Sequence, residues 1–198
     1  MKYAKLDTPE PAGATPSERP DTVKESPLSE LDSIKAAAGA AGNAIDAAKG
    51  QVLAALAVAQ EKTQQLAGLG LEGVARTVMA AQSALQAAAS SLGGAHDAGN
   101  GAVNTLAETT DPSRIGETVQ QLATVVGQLD QAASGVETAT GSIHQAYNYA
   151  QQAEVNSVTA MVGAVFDGIG GAKQSIENAK GKTEAYRQQI EAVAAGNA

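Results

Sequence analysis

The stretch from Ile115 to Ala150 constrains the fold more than any other part of this chain. Its apolar positions step alternately by four and three residues without a break, as the core positions of a heptad repeat do. These positions are Ile115, Val119, Leu122, Val126, Leu129, Ala133, Val136, Thr140, Ile143, Tyr147 and Ala150. A helix of this length is roughly 54 Å long at the usual rise of ~1.5 Å per residue. Because such a helix owes most of its stability to a buried face, we expect the other segments to be its partners.

Three further segments carry the same alternation. In the first it runs through Leu31, Ile34, Ala38, Ala41, Ile45, Ala48, Val52, Ala55 and Ala59, and it is interrupted at Lys62 before Leu66. In the second it runs through Leu71, Val74, Val78, Ala81, Leu85, Ala88, Leu92, Ala95, Gly99, Ala102 and Leu106. In the last it runs through Val158, Val162, Val165, Ile169, Ala172, Ile176, Ala179, Thr183, Tyr186, Ile190 and Val193. The sequence therefore predicts an all-α fold, an elongated antiparallel four-helix bundle.

Turn and capping signals place the helices at about residues 29–67, 71–109, 112–151 and 157–195, within a bundle domain of residues 29–198. Residues 1–28 hold all but one of the six prolines among polar residues, which predicts a disordered tail. The signals are Pro27 in a first turn, Gly68-Leu69-Gly70 after helix 1, Asp111-Pro112 before helix 3, Asn156 or Ser157 as the cap of helix 4, and Gly196 at its end. Gly93-Gly94 and Gly99-Asn100-Gly101 lie inside helix 2, where we expect kinking or local fraying.

The two halves of the chain match one another. A shift of 84 positions places helix 2 on helix 4, for example Val74 on Val158 and Leu92 on Ile176. Helix 1 matches helix 3 at a shift of 81, where Ala41 falls on Leu122. This pattern predicts two repeated helical hairpins whose apolar faces close on one another.

Composition bounds the stability and the partners. Hydrophobic residues make up 43% of the chain but aromatic residues only 3%, so alanine carries much of the apolar share and the core must be thin. The formal charge of -8 argues against non-specific nucleic-acid binding, which needs clustered Lys and Arg.

There is no Cys, and no apolar leader precedes the bundle. The longest mostly apolar run, Val52 to Ala59, is far shorter than the ~20 residues that span a bilayer. We expect a soluble cytoplasmic protein, exported only by a leaderless route.

Two glycine motifs look like nucleotide-binding signatures. Gly68-Leu69-Gly70-Leu71-Glu72-Gly73 fits G-x-G-x-x-G, but it follows the end of a helix where a dinucleotide site requires a strand, so we interpret it as a turn. Gly181-Lys182-Thr183 resembles the end of a P-loop, but Ile176 stands where the first glycine belongs. Neither motif predicts a cofactor site.

The titratable residues form no recognisable constellation. His96 is expected near residue 127 and His144 near residue 80, so the two histidines do not meet. Neither has an acidic residue three or four positions later, as a bundle metal site would need. The carboxylates are scattered, and no Ser, His and acid set can be assembled. We therefore assign no catalytic, cofactor-binding or metal residues, and we expect no cofactor and no enzymatic activity.

The Ala-rich hairpins resemble a group of uncharacterised Ala-rich helical proteins of high-GC bacteria. The resemblance rests on the Gly-Leu-Gly turn before LEGVARTVMAAQSALQAAASSL and on QQLATVVGQLDQAASGVETATGSIHQAY, and it covers about residues 29 to 195. The chain is also distantly similar to the helical-hairpin substrates of type VII secretion. Those carry Trp-x-Gly in the turn, which this chain lacks, and an export signal of Tyr followed four positions later by an acid. Only Tyr3 with Asp7 fits that signal.

These observations favour a non-enzymatic structural or interaction protein, an acidic bundle that binds another protein or itself through a helix face of Ala and Gly. One alternative is a leaderless secreted factor of the type VII kind. Another is an amphipathic, surface-active stress protein or granule-coating protein, although such helices usually place Lys or Arg beside large apolar anchors.

Overall fold

A computed structural model of the chain describes residues 27–109 and 114–196. These residues form four helices, which are α1 (Pro27–Gly68), α2 (Glu72–Glu108), α3 (Ile115–Gln152) and α4 (Asn156–Gly196). The predicted all-α class is confirmed, and the helix ends lie within three residues of those expected. Pro27 is the first helical residue of α1, whereas Asn156 begins α4 and so is not its cap. Residues 1–26 of the predicted tail and the Asp111-Pro112 cap lie outside the described residues.

The helices form a four-cornered antiparallel bundle. Each helix packs against two others, in the pairs α1–α2, α2–α3, α3–α4 and α1–α4. Contacts of Ser33 with Lys182 and of Gln51 with Gly168 show that α1 and α4 run in opposite directions. Both hairpin turns therefore lie at one end of the bundle, and residues 27, 109, 114 and 196 lie at the other.

The predicted core stripes of α1, α2 and α4 are confirmed with few exceptions. From Leu31 to Ala59 in α1, from Val78 to Leu106 in α2 and from Val158 to Ile190 in α4, every predicted position is buried. Leu71 and Val193 are exposed, because they lie at the ends of their stripes, and Val74 and Leu66 are only partly buried. The core is rich in alanine, as the composition indicated.

The stripe predicted for α3 is half wrong. Its predicted positions Leu122, Leu129, Val136, Ile143 and Ala150 are buried, but the alternate ones are only partly buried. Those partly buried positions are Ile115, Val119, Val126, Ala133, Thr140 and Tyr147. The residues that complete the buried stripe lie one position earlier and are Thr118, Val125, Ala132, Ala139 and Ala146.

Close approach of α2 explains the difference, since a Cβ at Gly135 would lie 2.9 Å from Ala95 Cβ. Only small side chains fit between helices at that separation, so Ala132 and Ala139 face the centre and the larger residues flank it.

One shift of 84 residues relates the buried positions of both hairpins. It places Ala38 on Leu122, Ala48 on Ala132 and Ala59 on Ile143, and all of these residues are buried. The shift of 81 predicted for α1 and α3 is wrong, because it places Ala38 and Ile45 on the partly buried Val119 and Val126. The error follows from the α3 stripe, because the shift of 81 matched α1 to predicted positions of which half are only partly buried.

The two hairpin turns have the same backbone geometry. Gly70 has a positive φ of 74°, and the Leu71 N–H donates to the Leu66 carbonyl at 3.0 Å. Glu154 has a φ of 54°, and the Val155 N–H donates to the Ala150 carbonyl at 3.3 Å. Each turn is a Schellman motif with a left-handed residue after the helix. The turns lie 84 residues apart, as the core positions do.

The glycines of α2 do not interrupt the helix, contrary to expectation. Helix α2 is continuous from Glu72 to Glu108. A Cβ at Gly99 would lie 3.7 Å from Ile45 Cδ1 and 3.9 Å from Gly42 Cα, so this glycine lets α1 and α2 approach closely. Packing against α1 thus offsets the low helix propensity of the segment.

Candidate interaction surface

Polar contacts join each neighbouring pair of helices near its outer edge. Gln82 Nε2 on α2 donates to the Ala59 carbonyl at 2.9 Å and to Thr63 Oγ1 on α1. Thr105 Oγ1 on α2 donates to Gln128 Oε1 on α3 at 3.2 Å. Lysines make the other two contacts, Lys180 Nζ with Asp130 Oδ1 at 2.6 Å and Lys182 Nζ with Ser33 Oγ at 2.8 Å. A core of small residues specifies helix register weakly, and these contacts add to that specification.

A cleft between α1 and α4 lies at the end of the bundle opposite the hairpin turns. It has a volume of about 320 Å³ and is lined by Glu30, Ser33, Ile34, Lys182, Ala185, Tyr186 and Gln189. The Gln189 side-chain nitrogen donates to Glu30 Oε2 at 2.6 Å, which joins its two walls. Burial, together with the negative charge of Glu30, raises the pKa of the Tyr186 phenol.

Of the two tyrosines placed in core stripes by the sequence, one is buried and the other is not. Tyr186 is buried, Tyr147 is partly buried and Tyr149 is exposed. The Tyr147 ring meets the Phe166 ring edge-on at a centroid distance of 5.9 Å. The His144 ring packs against the same Phe166 ring, tilted by 43°, at a centroid distance of 4.6 Å. This cluster lies on the outer side of the α3–α4 pair.

The two histidines are not brought together. His96 on α2 contacts Asn100, with 2.9 Å between His96 Nε2 and the amide nitrogen, whereas His144 contacts α4. The sequence predicted that His96 lies near residue 127. Because Ala95 lies against Gly135, His96 is instead level with residue 134. The offset arises because α3 is displaced along the bundle axis relative to α2. The described residues contain no group of three or more His, Asp or Glu side chains that could hold a metal ion.

One nucleotide-like motif forms the first hairpin turn, and the other lies inside a helix. The predicted turn at Gly68–Gly73 is confirmed, since α1 ends at Gly68 and α2 begins at Glu72. The Gly181-Lys182-Thr183 segment lies inside α4, where the buried Thr183 hydroxyl donates to the Ala179 carbonyl at 2.8 Å. Neither segment presents a loop of free backbone amides to a phosphate.

The outer face of α1 carries a second heptad stripe that sequence reasoning missed. Its positions alternate by four and three residues, and all of them are exposed. We call this surface the outer stripe, and its residues are Ala36, Ala40, Asn43, Ala47, Gly50, Ala54 and Ala57. Leu53 lies beside it with 46% of its surface exposed. The alternation was visible in the sequence, but the larger Ile and Val residues of the buried stripe drew the assignment to the other face.

Other exposed apolar side chains lie mainly toward the hairpin-turn end. Leu69 and Leu71 flank the first turn, with 74% and 47% of their surfaces exposed, and Met79 and Tyr149 lie farther along α2 and α3. Among the described helices, none combines the length and the apolar character needed to cross a membrane. The outer stripe is therefore the longest regular small-residue surface that the described helices present.

Comparison of the chain with protein-family models, with curated proteins and with solved structures found no match.

Proposed function

We propose that this protein is a non-enzymatic helical bundle that binds another protein, or a second copy of itself, through the outer face of α1. The observation that carries the proposal is the outer stripe, seven exposed heptad positions that bear only Ala, Gly and Asn, flanked on one side by the exposed Asp46 and Leu53. Heptad spacing is the spacing at which one helix packs along another. Small side chains allow such a helix to approach at the short end of the usual 8–10 Å range of interaxial distances.

The bundle itself supports the use of small residues as contact surfaces. Gly135 packs against Ala95 between α2 and α3, and Gly99 packs against Gly42 between α1 and α2. In both places two helices approach because neither presents a bulky side chain. The outer stripe offers the same kind of surface on the solvent side, and none of its seven positions bears a charged residue.

Arginine substitutions on matched faces test the proposal. Ala47→Arg with Ala54→Arg places bulk and charge on the outer stripe, and Ala87→Arg with Ala123→Arg places the same groups on the exposed faces of α2 and α3. Arginine has nearly the helix propensity of alanine, so both double variants should retain the fold. We expect the outer-stripe variant alone to lose self-association in light scattering, or to lose a partner that the tagged full chain captures. A wild-type chain that is a compact monomer and retains no partner would contradict the proposal.

A further inference from the structure

The two hairpins differ systematically in side-chain size at equivalent buried positions. At a shift of 84 residues the first hairpin, α1–α2, has the smaller residue and the second hairpin, α3–α4, the larger one at six buried pairs. These pairs are Ala38 and Leu122, Ala41 and Val125, Ala59 and Ile143, Ala81 and Val165, Gly99 and Thr183, and Ala102 and Tyr186. Ile34 and Thr118 show the opposite difference. The buried face of the first hairpin is therefore shallow and that of the second is bulky.

This difference makes the two hairpins complementary. Two first hairpins facing each other would leave voids beside Ala38, Ala59 and their counterparts, because alanine cannot fill the space that leucine and isoleucine occupy. Two second hairpins would bring bulky residues such as Leu122 and Ile143 against each other, which overpacks a core. Only the pairing of unlike hairpins fills the space at native density. The face of the first hairpin therefore selects a second hairpin as its partner.

We propose that a second copy of this chain can supply that partner, in a dimer that exchanges hairpins. In such a dimer the first hairpin of each chain packs against the second hairpin of the other. The contacts between the hairpins would recur, including the close approach of Gly135 to Ala95 and the exposed hydrogen bond of Lys182 to Ser33. Because the contacts between the hairpins are the same in the closed and the exchanged form, exchange is a low-cost route to a dimer. The thin alanine core also lowers the apolar area that must be exposed when the bundle opens.

This inference deepens the proposed function, since it names one partner, but it uses the inner faces of the hairpins rather than the outer stripe. The two proposals can therefore fail separately. Arginine on the outer stripe should leave exchange unchanged, because Ala47 and Ala54 do not contact the other hairpin in a closed or an exchanged bundle.

Single-cysteine chains test the exchange, because the natural chain has no Cys. A Ser33→Cys chain and a tagged Lys182→Cys chain are unfolded together, refolded at high concentration and treated with a short bismaleimide. Residues 33 and 182 lie in different hairpins and touch in the bundle, so the two chains can be linked efficiently only after exchange. The matched control uses Thr63→Cys with Gln82→Cys, whose side chains touch within one hairpin and stay within one chain after exchange. All four substitutions are at positions with at least partial exposure, and circular dichroism checks the fold.

We expect the 33 and 182 pair to give linked dimer at several times the level of the 63 and 82 pair. Light scattering of the refolded wild-type chain should show a dimer whose fraction rises with the protein concentration during refolding. Equal linking of the two pairs would indicate unspecific association and would overturn the proposal. Linking of both pairs only at the level of random collisions, with a monomeric mass at every concentration, would also overturn it. Binding through the outer stripe would be unaffected by either result.

Discussion

Gly135 is the glycine at which an added Cβ would meet fixed neighbours, the backbone and a Cβ of another helix, rather than the end of a flexible side chain. A Cβ there would lie 2.9 Å from Ala95 Cβ and 3.0 Å from the Ser91 carbonyl oxygen, and both belong to α2. Gly135→Ala must therefore push α2 and α3 apart. We expect a loss of about 1–3 kcal/mol from overpacking, which outweighs the gain of up to ~1 kcal/mol in helix propensity. Urea unfolding followed by circular dichroism measures the difference.

Two other glycines of α3 provide the control for this substitution. A Cβ at Gly127 or Gly141 would meet no neighbouring atom within 4 Å, and both residues are exposed. Gly127→Ala and Gly141→Ala should each raise the free energy of unfolding by about 0.5–1 kcal/mol, since alanine restricts the unfolded chain and favours the helix. Equal effects at all three glycines would show that α2 and α3 are not close at Gly135.

Glu154 is the only non-glycine residue with a positive φ among the described residues. The left-handed conformation costs a residue with a Cβ about 1–2 kcal/mol, and glycine avoids that cost. Glu154→Gly should therefore stabilise the protein by about 0.5–1 kcal/mol, after allowance for the greater freedom of glycine in the unfolded chain. Gly70→Ala, at the equivalent position of the first turn, should destabilise it by about 1 kcal/mol. Thermal unfolding of the two variants gives the comparison, and shifts of the same sign would exclude a shared turn geometry.

Tyr186 makes the stability depend on pH in the alkaline range. Burial, and then the Glu30 carboxylate, raises the pKa of its phenol above the ordinary value of about 10. The folded chain therefore keeps this proton when the unfolded chain has lost it. The resulting stability is complete below the unfolded pKa and falls as the pH rises through the folded pKa. The pKa of Lys180, raised by its hydrogen bond to Asp130, acts in the same direction.

The Tyr186→Phe variant tests that dependence. We expect the urea midpoint of the wild-type chain to fall between about pH 9 and pH 11, and the variant to show a smaller fall over the same range. The slope with pH is the quantity to compare, because the variant also changes contacts that act at every pH. Parallel slopes would mean that Tyr186 does not contribute to alkaline unfolding.

At the scale of the element, three of the four core stripes could be predicted from heptad spacing, and the fourth could not. In α1, α2 and α4 one set of positions holds most of the large apolar residues, so size and spacing indicate the same face. In α3 two overlapping stripes share Leu122, Leu129, Val136 and Ile143, and they differ only at the alternate positions. Side-chain size does not separate the two sets, since Val125 and Val126 have the same side chain, and beside Gly135 the close approach of α2 is met by alanine. The distance between α2 and α3 depends on both helices, so it could not be predicted from the sequence of α3 alone.

Two adjacent valines of α3 test which stripe is the core. Val125 is fully buried, whereas Val126 is only partly buried. Val125→Ala should cost about 1.5–3 kcal/mol, the value of a fully buried valine side chain, and Val126→Ala should cost well under that amount. The two variants are matched in chemistry, helix and position along the bundle. A larger loss at Val126 in urea unfolding would restore the stripe predicted from spacing.

At the scale of the whole molecule, the antiparallel bundle followed from short turns between long amphipathic helices. The candidate surface did not, because the outer stripe is built from the same small residues as the core and carries no anchor larger than the neighbouring Leu53. Periodicity shows that such a face exists, but it does not show whether the face is buried or exposed. That distinction required the positions of the other three helices.

The complementarity of the two hairpins makes a prediction about size across the bundle. Related by a shift of 84 residues, Ala59 and Ile143 are both fully buried, on the helices α1 and α3 at opposite corners of the bundle. Ile143→Ala removes a fully buried side chain and should cost about 2–5 kcal/mol. Ala59→Ile inserts the same atoms into a filled space and should cost about 1–3 kcal/mol.

The double variant should be more stable than the sum of these losses predicts. Isoleucine at 59 returns to the core the volume that Ile143→Ala removes, and residues that share a cavity couple by about 0.5–3 kcal/mol. Urea unfolding of the wild type, the two single variants and the double variant forms the cycle. Additive losses would mean that the space beside Ala59 is not the space that Ile143 fills. In that case the difference in size between the hairpins would not select their pairing, and the argument for exchange with a second copy would lose its basis.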